Sequence, residues 1–152
     1  MNKLLVLVVV LFVVGWIVYD NKEPISNEVG GNTVATTTVD SNDAKKDLIV
    51  VSAPVKDMVV SSPFVVSGKA RGYWFFEASF PIELRDTKGN VLQTIVAQAQ
   101  DEWMTTEFVP FTAQLIFTKP ASPMPAVLVF KKDNPSGLPE HDDSIEIPII
   151  LQ

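Results

Sequence analysis

Phe111-Thr112-Ala113-Gln114-Leu115-Ile116-Phe117 sets apolar side chains at 111, 113, 115 and 117 and polar ones at 112 and 114. Neighbouring side chains on a strand point to opposite faces, so this period of two marks a strand half in a core and half in water. The same period runs outward in both directions. Downstream, residues 126–131 read as a strand, and Ile145, Ile147, Ile149 and Leu151 alternate with Glu146 and Pro148. Pro148 has no amide hydrogen, which puts that last strand at an edge or at a bulge. Upstream, residues 48–51, 64–70, 82–85 and 91–99 read as strands, with Pro63 setting the start of the second. Asp86-Thr87-Lys88-Gly89-Asn90 is a hairpin turn between the last two.

About seven short strands in succession, with no convincing soluble helix, predict an all-β, immunoglobulin-like β-sandwich over residues 48–152. A small barrel is the alternative. The 152-residue chain has room for one such domain, and 11 prolines against 7 glycines, with 47% hydrophobic residues, suit it. Cysteine is absent. Disulfides, thiolate metal sites and cysteine nucleophiles are therefore excluded, and the apolar core must supply the stability. The formal net charge is −6 without any basic cluster, so nucleic acid is not an expected partner.

Ahead of the domain, Lys3 precedes an unbroken apolar run from Leu4 to Tyr19. As a helix it would span roughly 24 Å, a little less than a hydrocarbon core of about 30 Å. It ends Trp16-Ile17-Val18-Tyr19-Asp20, with aromatics suited to a membrane interface and no small-residue cleavage triplet. Residues 1–20 are thus expected to be a transmembrane signal anchor, single-pass and N-in; secretion after signal cleavage is the alternative. Residues 21–47, rich in Ser, Thr, Asn and Asp, contain too little apolar surface to offset ordering and read as a flexible linker.

Chemistry-bearing residues are sparse. His141 is the sole histidine, and Ser136, Ser144, Asp142 and Asp143 near it lack any context that would place a nucleophile. Asp133, Glu140, Asp142 and Asp143 could offer oxygens to calcium, but without the spacing of an EF-hand. Glu77 and Glu83, six residues apart on an extended strand, would lie roughly 20 Å apart, too far for a glycosidase pair. No catalytic residue, metal ligand or cofactor is assigned.

Tyr73-Trp74-Phe75-Phe76 is the oddity, because one core cannot take four successive rings from a strand. Either an outer pair is exposed or a loop covers it. The proline-braced loop at 134–144 is the expected cover, with Arg71 or Glu77 hydrogen-bonding to it. Arg71, Trp74, Phe75, Glu77, Asn134, His141 and Asp142 form the candidate interaction surface.

Gly68-Lys69-Ala70-Arg71-Gly72-Tyr73-Trp74-Phe75-Phe76-Glu77-Ala78-Ser79-Phe80-Pro81 is distinctive, as are Ala97-Gln98-Ala99-Gln100, Trp103-Met104-Thr105, Phe108-Val109-Pro110-Phe111 and Lys132-Asp133-Asn134-Pro135-Ser136-Gly137. In this order, across residues 49–151, they resemble the immunoglobulin-like domain of bacterial spore germination proteins. The resemblance implies a bacterial, exported sandwich with no catalytic residues to carry over. That domain often accompanies a second module named for sporulation and germination. The motifs here belong to the immunoglobulin-like part alone, so a germination role is not implied. The expected function is a non-catalytic binding or scaffolding module of the cell envelope, held at the membrane and contacting envelope protein or cell-wall glycan. The competing expectation is an envelope hydrolase or metal-dependent enzyme using the His141 loop.

Overall fold

Alternating burial organises the domain, as in β6, where Val109, Phe111, Ala113 and Leu115 are buried while Pro110 and Gln114 face outward. In the computed structural model, which describes residues 43–152, eight strands form: β1 (Ile49–Ala53), β2 (Met58–Val60), β3 (Phe64–Arg71), β4 (Ser79–Asp86), β5 (Val91–Ala99), β6 (Phe108–Leu115), β7 (Met124–Lys131) and β8 (Ser144–Leu151). Among the described residues the only helical pieces are three-residue 3₁₀ turns. The fold is all-β, as expected, with one strand more than the alternation alone indicates. The apolar run at 1–20 and most of the linker lie outside the described residues. Residues 43–47, assigned to the linker by composition, are tied to the domain. Lys45 pairs with Asp143 and donates to the Ser144 carbonyl at 2.8 Å, and the Asp47 carbonyl accepts from Arg71 at 2.9 Å.

The strands make one continuous curled sheet in the order β1-β3-β6-β5-β4-β7-β8-β2. The fold line is β5. It pairs with β4 from Val91 to Gln98, but meets β6 just at its end, through Gln98↔Thr112 and Ala99↔Phe111 and a 2.8 Å bond from the Gln100 N–H to the Pro110 carbonyl. Beyond that corner the β1-β3-β6 half packs against the β4-β7-β8 half, the arrangement of a sandwich joined along one side. The chain itself crosses between halves early. β1 runs antiparallel to β3, whereas β2, four residues later, runs parallel to β8. A three-residue strand is too short to show a period, and Pro54, Lys56 and Asp57 before it read as loop.

Pro148 suggests an edge strand or a bulge, but β8 is neither: it lies between β7 and β2, in unbroken register with β7. The crossing accommodates the proline. Its carbonyl accepts the Asp57 N–H at 2.8 Å, so its nitrogen faces the β2 side too, where β2 begins pairing only at Ile149. The β7 ladder loses no donor. The hairpin turn forms as read: the Asp86 carboxylate accepts from the backbone N–H of Lys88 and Asn90, at 2.8 and 2.9 Å, and from the Asn90 amide at 2.8 Å. These bonds, the Asn90 side chain foremost, hold the Asp86 carboxyl below its ordinary pKa. Gly89 supplies the positive φ of 87°.

Within the curl, Phe80, Ile82 and Leu84 of β4, Leu128 and Phe130 of β7, and Ile149 and Leu151 of β8 meet Ile49, Val66, Phe111 and Leu115 in one apolar cluster. Phe75–Phe80 and Phe80–Phe111 are edge-to-face ring pairs at 5.1 and 4.9 Å, and Phe111–Phe130 follows at 6.2 Å. Among the described residues no polar or charged residue is classed as buried.

The outer face of β4 and β7 carries one compact charge group. Glu83 accepts from Arg85 Nε at 2.8 Å and from Lys131 Nζ at 3.3 Å. Burial raises the Glu83 pKa, but the bonds and charges of Arg85 and Lys131 outweigh it and hold the carboxyl below its ordinary value. A lowered folded pKa adds stability that is full above the unfolded carboxylate value and fades as pH falls through the folded one. Glu83→Gln is therefore expected to cost about 1 kcal/mol at neutral pH, in the range of partly exposed ion-pair networks. Urea melts of both proteins, repeated below the carboxylate range, should show the difference shrinking.

Candidate binding surface at the loop end

Register places the ends of seven segments together. Ile49 lies opposite Ala70, Arg71 opposite Phe108, Ser79 opposite Gln98, and Lys131 opposite Ser144. The β3–β4, β5–β6 and β7–β8 loops thus gather at one end of the domain, with residues 43–48 beside them. This end contains all seven residues singled out from the sequence.

In the β3–β4 loop the aromatic run is not a strand. Gly72–Trp74 is a 3₁₀ turn, closed by Phe75 N–H to the Gly72 carbonyl at 3.1 Å. The turn breaks the period of two, so adjacent Trp74 and Phe75 both enter the core, at 0% and 4% exposure. Tyr73 and Phe76 flank them, 48% and 41% exposed. Trp74 and Phe75 are therefore core residues, and their side chains offer no surface to a partner. The turn needs Gly72, because a Cβ there would meet the Thr105 carbonyl oxygen at 2.0 Å and that of Trp103 at 2.3 Å. The β5–β6 loop therefore closes over this segment. The expected cover, the β7–β8 loop, touches it through the Asp133 N–H, which donates to the Trp74 carbonyl at 3.0 Å.

Arg71, expected with Glu77 as a candidate to bond that loop, bonds elsewhere. Its Nε donates to the Asp47 carbonyl at 2.9 Å and its Nη1 to the Thr106 carbonyl at 3.1 Å, with Glu107 3.7 Å away. The guanidinium carbon lies 4.2 Å from the Phe108 ring centroid. Arg71 is a strut joining the entry of the chain to the β5–β6 loop. Glu77, also expected to bond the loop, is exposed at the apex of a tight turn. There Phe76 and Ser79 exchange backbone hydrogen bonds of 2.9 and 3.0 Å.

The β7–β8 loop is braced from within. Asn134 Nδ2 donates to the Leu138 carbonyl and to Asp142 Oδ1, both at 2.8 Å, while its Oδ1 accepts from Ser136 N–H and Oγ. Asp143 goes instead to Lys45. Two of the acids considered as a metal set, Asp142 and Asp143, are thus turned to separate partners, and among the described residues no group of three or more metal-ligating side chains converges. Ser136 Oγ accepts from the Leu138 N–H, and His141 sits exposed in a 3₁₀ turn over Pro139–His141. Among charged and polar neighbours such as Glu77, Glu102, Glu107, Glu140 and His141, this end exposes four large apolar side chains: Tyr73 and Phe76 from the first loop, Met104 at 74% from the second and Leu138 at 48% from the third. The sequence reading passed over Met104 and Leu138. Single apolar residues in polar loops carry no periodic signal.

A family model for the immunoglobulin-like domain of bacterial spore germination matches residues 48–137. The stretch runs from the residue before β1 into the β7–β8 loop and includes Arg71 to Glu77 and Asn134. No match is found among curated proteins or among solved structures.

Two stability outcomes are expected. Trp74→Ala should cost about 3–5 kcal/mol, as deleting a buried ring does. Trp74→Phe should cost markedly less, because the buried indole N–H makes no hydrogen bond among the described residues. Second, Glu77 and Ala78 hold φ of 48° and 60°, in the left-handed region that non-glycine residues adopt at a cost. Replacing the pair by Asn-Gly, the favoured sequence for such a two-residue turn, should stabilise by about 1 kcal/mol. Chemical denaturation of the variants against the parent measures both.

Proposed function

The chain belongs to the family of the immunoglobulin-like domain of bacterial spore germination, and from that premise we propose a binding or scaffolding module that works through its loop end. The single observation that carries this is the set of exposed apolar side chains from three loops, Tyr73, Phe76, Met104 and Leu138, on backbones fixed by Arg71, Gly72 and Asn134. Fixed loops displaying aromatic and thioether side chains bind without a large ordering cost. The partner we propose is an envelope protein or cell-wall glycan. The setting is the outer side of a bacterial cytoplasmic membrane, with residues 1–20, around the apolar run from Leu4 to Tyr19, as a single-pass, N-in anchor. Lys3 before that run and its aromatic end support this topology. Arg71, Glu77, Asn134, His141 and Asp142 border the proposed surface; Arg71 and Asn134 shape it from beneath. The competing reading, a hydrolase or metal enzyme at His141, gains no support from the loop's hydrogen bonding, which turns Asp142 to Asn134 and Asp143 to Lys45.

The test uses exposed residues whose loss leaves the core alone. Tyr73→Ala combined with Met104→Ser should leave the melting temperature within a few degrees of the parent and lower retention on an envelope fraction, protein-bearing or stripped to glycan, by about tenfold or more. Equal retention of parent and variant on both fractions would end the proposal. Degradation of the domain in intact cells by added protease tests the topology separately, and its protection in cells that stay sealed would reverse the orientation.

A further inference from the structure

Sheet edges need protection from pairing with other chains, and proteins protect them with short strands, bulges, prolines and charges. The outermost strands here follow that rule. β1 has five residues with a register shift between Val51 and Ala53, and β2 has three, preceded by Lys56 and Asp57. β5 does not. It has nine residues, and among the described residues no strand pairs with its β6-facing side before Gln98. From Val91 to Gln100 there is neither a charged residue nor a proline. The strand also exposes Val91, Leu92 and Val96, each about half accessible. Where β5 and β6 part, a groove of about 420 Å³ opens, lined by Val65, Val96, Gln98, Thr112 and Gln114 among others, none of them charged.

We propose that this free edge is a self-association surface, on which β5 of a second copy of the chain pairs antiparallel about a two-fold axis and continues the sheet. The choice of a second copy follows from charge. A two-fold pairing sets the same strand against itself, so any ionised residue would face its like or a near neighbour, and like charges across a pair destabilise. In a chain of net charge −6, the uncharged residues 91–97, ahead of the pairing with β6, are where two copies approach without that repulsion. An acidic or basic foreign segment finds no counter-charge along the groove. The Gln93 amide bonds equally well to an identical amide, and Leu92, Thr94 and Val96, on one face of the strand, meet their equivalents across the axis.

The full chain, in mild detergent because of its apolar run at 1–20, is the material for the test. Sedimentation should show the mass doubling with concentration. Thr94→Lys with Val96→Lys should weaken that association by about tenfold or more while leaving the circular dichroism unchanged, since edge lysines oppose pairing. An independent readout uses the absence of cysteine in the parent. Among Leu92→Cys, Thr94→Cys and Val96→Cys, the variant nearest the axis should oxidise to a covalent dimer far faster than the exposed Lys69→Cys control on β3. A parent that stays monomeric, a lysine variant that associates as strongly as the parent, or cross-linking no faster at β5 than at position 69 would each overturn the proposal. None of these measurements involves the loop end, so failure here leaves the binding reading untouched and the converse also holds.

Discussion

The contact between Phe80 and Phe111, rings edge to face with centroids 4.9 Å apart, is the interaction on which the domain's two halves depend. Phe80 stands on β4 and Phe111 on β6, and those strands share no backbone pairing. Across β5, backbone hydrogen bonding joins the halves at one end of the seam, through Gln98, Ala99 and Gln100 opposite Thr112, Phe111 and Pro110. Without cysteine no covalent pin can replace the aromatic contact. Phe75 and Phe130 extend it on either side, which makes a row of rings the spine of the molecule. This explains why the β3–β4 loop coils inward. The turn at Gly72–Trp74 delivers Phe75 into that row and Trp74 into the core.

Strands with a wet face and a dry face were legible because each second residue announces its side. β8 formed on the residues whose alternation marked it, and β6 on Phe111, Ala113 and Leu115, with Phe117 past its end; the hairpin turn formed too, where Asp86, Gly89 and Asn90 each have a local role. What was not legible lay where long-range packing overrides local pattern. β2 exists because β8 offers it an edge, not because Met58-Val59-Val60 has a period. The run Tyr73–Phe76 looks like a strand by propensity, and only the carbonyls of Trp103 and Thr105 pressed against Gly72 turn it into a coil. Residues 43–47 look like linker by composition, yet Lys45 has a partner 98 positions away.

The same distinction separates the two kinds of residue at the loop end. Conspicuous residue types drew attention to Arg71, Trp74, Phe75 and Asn134, and all four turn out to build the end of the domain. The side chains that face outward are plainer. Tyr73 and Phe76 could have been found by asking which members of the aromatic run the core would refuse. Met104 and Leu138 stand alone in loops, so they become visible only once the loops are gathered.

The parallel pairing of β2 with β8 has a mechanical consequence. The described chain enters beside β1, at the loop end, and leaves β8 at the opposite end of the domain. Tension drawn between these two points would pull β2 and β8 along their length in opposite directions, so the rungs joining Met58–Val60 to Ile149–Leu151 carry the load together instead of opening one after another. A three-residue strand, minor in the energetics of folding, thereby becomes the shear clamp of a domain subjected to force.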